Sequence, residues 1–408
     1  MAITIQSSPA PYSSMHDDLW YVSSSNNVGE TAFKFVYDVY VNGAQVSRTK
    51  VYPSPSAEGS YGVFNASPMV RAYVTNYFEP SGSSILVASN DKIKVNSTIQ
   101  VGEEYVSGGN LLTNAGLVSG ALSAYNYYPP LFADILFVNN NTPLVLSDYY
   151  DNLLLENFTD DWITERDAEN ITIEYGDNFY ATYFKITAGT YFAWIETINE
   201  SGTVIDTVSG GITFTGEMNL FNCQAGHINT FAGRTLITED TYGYNVYLKR
   251  GVAVSRKLQF KQKCYPKYKQ YNLHFLNRLG GWDTMKFALV NKRSTSVERA
   301  SYRRNDWQLS GNTMTNIDAY NKYNETTLNY AIQHKDKFHL ISDWVSQQDY
   351  EWLAQLFAST IVYMEVQGAY FPVTISSTNY EYKLETSDKL FNFEIDIEVG
   401  KYITSQFR

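Results

Sequence analysis

Phe33, Phe35, Tyr37, Val39 and Val41 alternate with Lys34, Asp38 and Asn42, the period-two pattern of a half-buried strand. Asn42-Gly43 then offers positive backbone angles for a tight turn, and "AQVSRTKVY" returns as the second strand of a hairpin. After the proline- and glycine-rich "YPSPSAEGSYG", Ser67-Pro68 reads as a helix cap and first turn. Val70, Tyr73, Val74 and Tyr77 follow at helical spacing, so one short helix is expected here.

The middle of the chain is a succession of short apolar runs: "SILVAS", "KIKVNSTIQV", "ADILFVN", "PLVLSDYY", "ITIEYG", "YFKITAGTYFAWIETI", "GTVIDTVS" and "GITFTG". Asn, Gly, Ser and Asp clusters separate them, and strands at this spacing imply sandwiches or barrels rather than alternating βα units. In the last third, "YNLHFLN" and "DTMKFALV" flank Gly280-Gly281 as two strands joined by a bend, with Trp282 expected to pin the reversal by packing. A helix is expected near 347–358, where Ser346 and Asp349 form a capping pair and Tyr350, Leu353 and Phe357 an apolar stripe.

The expected fold is therefore mainly β: two or three β-sandwich or barrel-like domains with a few short helices. The boundaries fall at about 1–130, 131–250 and 251–408. A length of 408 residues exceeds one ordinary core, which agrees with several domains. The 34 tyrosines suit half-buried strand surfaces and wet interfaces, since the ring packs while the hydroxyl stays hydrogen-bonded. Cys223 and Cys264 cannot staple a chain of this length and lack metal or redox spacing, which favours an intracellular folding environment. The N-terminus has no signal-peptide pattern, and no apolar run approaches the roughly 20 residues of a membrane helix.

Candidate chemistry is sparse. His16, His227, His274, His334 and His339 make no zinc-binding spacing, and neither a nucleophile elbow nor a phosphate loop is present. No catalytic residue, metal or cofactor is expected. His274 and Asp283 could approach each other across the bend, but no nucleophile accompanies them. Asp160, Asp161, Glu165, Asp167 and Glu169 lack a calcium-loop pattern and read as a solvated, partly helical acidic face. Trp162 and Trp194 could stack on sugars, which keeps a glycan-binding module open as an alternative, with a hydrolase behind it.

Charge is the least random feature. Between Asn245 and Arg304 stand fifteen Lys/Arg against Asp283 and Glu298, which puts the segment at +13. The net charge of −11 then leaves −24 for the rest of the chain. Lys249, Arg250, Arg256, Lys257, Lys261, Lys263, Lys267 and Lys269 form its interleaved basic and aromatic stretch. Such a stretch could complement an acidic surface of the same chain or of a neighbouring subunit, or face DNA in a channel; subunit complementarity is favoured.

"ITIQSSPAPYSSMHDDLWYVSSSN", "FKFVYDVYVNG" and "KVYPSPSAEGSYGVFNASPMVRAYV" near the start form one recognisable set. "YNLHFLNRLGGWDTMKF", "ISDWVSQQDYEWLAQLFAST" and "FPVTISSTNYEY" near the end form another. Together they resemble virion structural proteins of tailed Bacteroidetes phages, including crAss-like phages. The likeness covers about a third of the chain, at both ends. It implies a non-enzymatic neck or tail subunit that forms a ring with copies of itself, joins neighbouring virion proteins around the DNA conduit and is assembled in the host bacterial cytoplasm. Nonspecific contact with the genome in the lumen is then an expectation, and membrane contact is not. A receptor- or glycan-binding tail or baseplate component is the alternative.

Overall fold

A computed structural model of the chain describes residues 3–9, 12–15, 18–74, 78, 80, 84–89, 94–125, 161–169, 171–185, 188–214, 216–263, 267–303, 307–316, 327–377, 392–400 and 403–404. These residues are mainly β, in several largely antiparallel sheets with three helices. The chain divides into two compact units, one of residues 1–265 with 276–284 and one of 266–275 with 285–408.

The first unit opens with two facing sheets. One orders Ile3–Ser7, Trp20–Ser25, Gly59–Asn65 and Ser54–Ser56; the other orders Tyr12–Ser14, Asn110–Tyr125, Lys94–Ser107, Thr31–Val41 and Ala44–Val51. Phe35, Tyr37 and Val39 meet Tyr21, Phe64 and Ile99 in the core between them, as the alternation requires. Asn42 (φ 50°) and Gly43 (φ 83°) make the hairpin turn into Ala44–Val51. Asp38 points to the outer face yet is buried, because Arg48 forks onto it with Nε–Oδ1 2.6 Å and Nη2–Oδ2 2.8 Å. The expected helix is shorter than its apolar spacing suggested. It spans Ser67–Arg71, with Ser67 inside the first turn and no side-chain cap, and Tyr77 lies outside the described residues.

Two further sheets complete this unit. One orders Asp161–Trp162, Tyr180–Phe184, Met218–Asn222 and Leu86–Ser89; the other orders Ile171–Ile173, Leu258–Gln262, Gly243–Arg250, Tyr191–Ile198 and Val204–Ile212. Trp162, Tyr183, Phe221, Tyr244 and Phe260 fill the interior. Helix Ala225–Ala232 closes over it with Ala225 and Ile228 buried. Eight residues with two buried positions are too short a periodic signal to read in advance.

The sheet that falls in the second unit, apart from Leu276 and residues 282–284, has the strand order Trp282–Phe287, Tyr271–Leu276, Val362–Val366, Ala369–Ile375, Glu394–Val399, Thr327–Ile341 and Lys292–Arg303. Helix Gln347–Ala358 starts where expected: the Ser346 side-chain oxygen accepts from the Asp349 N–H at 3.2 Å. Its Tyr350, Trp352, Leu353 and Leu356 pack with Phe275, Leu340 and Phe393.

Candidate functional site

The basic stretch divides between the two units. Lys249 to Lys263 lie in the first, Lys267 and Lys269 in the second. On strand Gly243–Arg250, Tyr244, Val246 and Leu248 turn into the core, so Asn245, Tyr247 and Lys249 share the outer face. Register places Phe192, Trp194 and Glu196 opposite Lys249, Tyr247 and Asn245.

The result is a short ladder of rings and charges. The Lys249 ammonium sits 3.8 Å from the Trp194 ring centroid, and that of Lys257 4.6 Å from the Tyr247 centroid. The Tyr247 hydroxyl donates to Glu196 Oε1 at 2.5 Å, and Lys257 Nζ reaches Glu196 Oε2 at 2.9 Å. Burial pushes the Glu196 carboxyl up. Hydrogen bonds from Tyr247, Lys257 and Asn245 outweigh it, so the group lies below its usual range. Burial raises the Tyr247 phenol, and the hydrogen bond to the Glu196 anion raises it further.

Arg256 has a structural task. Its Nε lies 2.8 Å from Asp161 Oδ2, its backbone N–H donates to Asp161 Oδ1 at 3.0 Å, and Nη2 donates to the carbonyls of Trp162 (2.6 Å) and Thr164 (2.9 Å). Burial raises the Asp161 carboxyl against the opposing pull of Arg256 and the backbone N–H groups. Arg278 pairs with Glu165, and Arg293 with Asp336 at 2.6 Å. Lys267 and Lys269 are exposed, each beside a tyrosine ring, Tyr268 and Tyr271 respectively. Arg250 and Lys261 are half-buried and Lys263 is exposed.

A hollow of about 490 Å³ opens beside this ladder, lined by Ala168, Glu169, Asn245, Arg256, Lys257 and Gln259. Its lining offers hydrogen-bond donors and acceptors, and two of its charges, Arg256 and Lys257, are already paired with Asp161 and Glu196. No group of three or more His, Cys, Asp or Glu that could hold a metal occurs among the described residues. No helix among them is long and apolar enough to cross a membrane.

The Gly280-Gly281-Trp282 corner is a buried structural device organised by Asn277. Asn277 Oδ1 accepts the N–H groups of Leu279 (3.0 Å) and Gly281 (2.9 Å), while Nδ2 donates to Ile163 O (2.6 Å) and Asp283 Oδ2 (3.1 Å). Gly280 supplies the positive φ, 82°. Gly281 supplies space: a Cβ there would lie 2.7 Å from Ile163 O. Trp282 is buried, with its ring centroid 4.7 Å from that of Phe78 and its backbone N–H donating to Thr182 Oγ1 at 2.8 Å. His274 and Asp283 have other partners: Glu365 Oε2 at 3.1 Å from His274 Nε2, and Thr164 at 3.0 Å from Asp283.

Two expectations are corrected. Trp162 cannot present a stacking face: it is fully buried, and its Nε1–H donates to Arg256 O at 3.1 Å. The acidic face is not a solvated helix between 161 and 169, because Asp161 lies inside a strand and wholly in the interior; Asp160 falls outside the described residues. Sequence reading also passed over Asn277 and Glu196. Asn three residues before a glycine at a bend is a weak signal for the first; the second has none, because its partners are 49 to 61 residues away. No protein-family model matches the chain, and a search of curated proteins finds no match.

Proposed function

We propose that this protein is a non-enzymatic structural subunit of a phage virion that forms a ring with its own copies in the neck or tail, joining neighbouring rings around the DNA channel. One observation carries the self-assembly part of that reading. Strand Asn110–Tyr125 is bound along one side by Lys94–Ser107, and on the other only Ser123–Tyr125 is paired, with Tyr12–Ser14, among the described residues. The open stretch "NLLTNAGLVSGAL" has no charged residue and no proline, and Leu111, Leu112 and Leu117 are exposed. Monomeric proteins blunt such edges with lysine, proline, bulges or short strands; here the irregularity between Asn114 and Val118 interrupts the register but the strand still runs sixteen residues. A long neutral edge instead suits strand addition by another chain. The virion setting rests on the sequence resemblance.

Native mass spectrometry of the purified chain, alone and with the adjacent virion proteins, tests this reading. A homo-oligomer of defined copy number that also captures a neighbour is expected. A strict monomer that binds none of them would overturn the proposal.

A further inference from the structure

The second unit carries a ribbon whose far part has no strand partner beyond itself among the described residues. Strands Lys292–Arg303 and Thr327–Ile341 pair over twelve residues, but the latter meets Glu394–Val399 only from Lys337 to Ile341, and Ile403–Thr404 only at Gln333 and His334. From Arg299 to Arg303 on one strand and Thr327 to Ile332 on the other, the two strands have only each other among the described residues. No residue of Lys292–Arg303 is buried, and in Thr327–Ile341 only Phe338 and Leu340 are. At roughly 3.3 Å per residue, Arg299 to Arg303 runs about 15 Å beyond that anchorage. A two-stranded ribbon with no layer packed on it among the described residues is marginal in water. Yet it carries exposed Val297, Tyr302 and Tyr330, and the separate hairpin Trp307–Ser310/Thr313–Asn316, which lies between the two ribbon strands in sequence, exposes Leu309 (65%) and Met314.

Charge says what covers it. Three of the ribbon's six Lys/Arg are matched within the unit, Arg293 by Asp336 and Lys335 and Lys337 by Glu398, while the overhanging part, residues 299–303 with 327–332, holds two arginines and no carboxylate. The body of the same unit has the opposite sign: its described residues 267–275, 285–291, 342–377 and 392–400 hold seven Asp/Glu against Lys267, Lys269 and Lys286, and all seven acids fall in the last two stretches. Within that body Trp344 is 59% exposed, next to Asp343 and just before the helix on which Glu351 is exposed. An apolar ring flanked by carboxylates complements an arm of apolar side chains flanked by cations.

We infer that the arm of one copy docks on the Trp344–Glu351 surface of the next copy, a head-to-tail contact between chains. Such a contact is heterologous and generates a ring when the rotation closes. The inference rests on the proposed assembly function and names its contact.

The test is sedimentation velocity of the full chain, with circular dichroism as a folding control. Arg299→Glu/Arg303→Glu, Leu309→Asp/Met314→Asp and Trp344→Ser are each expected to weaken self-association at least tenfold while leaving the fold intact. Adding Asp343→Lys/Glu351→Lys to the arginine reversals should restore at least part of the loss. Wild-type assembly with all three variants associating within twofold of it would overturn this inference and leave the proposed function standing. A wild-type chain that neither self-associates nor binds neighbouring virion proteins would overturn both.

Discussion

Arg256 holds Asp161 at 2.8 Å, and the carboxylate it holds is wholly buried while the arginine side chain is about 29% exposed. One guanidinium therefore does two things. It balances a desolvated charge, and it satisfies the carbonyls of Trp162 and Thr164 that leave the short strand Asp161–Trp162. Arg256→Ala is expected to cost about 3 kcal/mol in thermal or denaturant unfolding, because it strands a buried carboxylate. Asp161→Asn should cost clearly less, since the amide oxygen still accepts from the Arg256 backbone. Equal losses for the two would refute the charge-balancing role.

The Asn277 corner gives a second, independent ledger of backbone strain. Gly281→Ala drives a methyl against Ile163 O and is expected to destabilise by about 1–3 kcal/mol. Asn277→Ala removes the acceptor of two buried N–H groups and should cost about 3 kcal/mol. Urea midpoints at unchanged m-value are the measurement; a Gly281→Ala chain as stable as wild type would show that Ile163 gives way freely.

Stability at acid pH should report the Glu398 cluster. Hydrogen bonds from Lys335 and then Lys337 hold the Glu398 carboxyl below its ordinary value. With the folded value below the unfolded one, about 4.3, the contribution is present above the unfolded value and lost as pH falls through the folded one. Glu398→Gln should therefore flatten the decline in melting temperature between about pH 5 and about pH 3. A variant that melts in parallel with wild type across that window would contradict the assignment.

Any affinity of the chain for duplex DNA is expected to fall steeply with salt and to be indifferent to sequence. Because Arg256 and Lys257 are held by Asp161 and Glu196, the exposed Lys267 and Lys269 should carry it. Substituting those two with alanine should lower the log–log salt slope by roughly 2. Fluorescence anisotropy across a salt series measures this; binding that ignores salt would remove DNA as a partner of the basic stretch.

Sequence alone determined the elements whose signal is local. The Phe33–Val41 alternation, the Asn42-Gly43 turn and the Ser346 cap of helix Gln347–Ala358 each depend on residues within a few positions of one another, so period and turn chemistry suffice. The mainly β class followed from many such short signals. Only tertiary structure decided the fates of individual charges and aromatics. Trp162 and Trp194 look alike in sequence, yet the first is buried against an Arg256 carbonyl and the second lies beneath the Lys249 ammonium. Arg256 reads as one more base in a cationic run until Asp161, 95 residues earlier, is found beside it. Burial and ion pairing are set by which strands become neighbours, and that pairing is a long-range choice that no local pattern encodes.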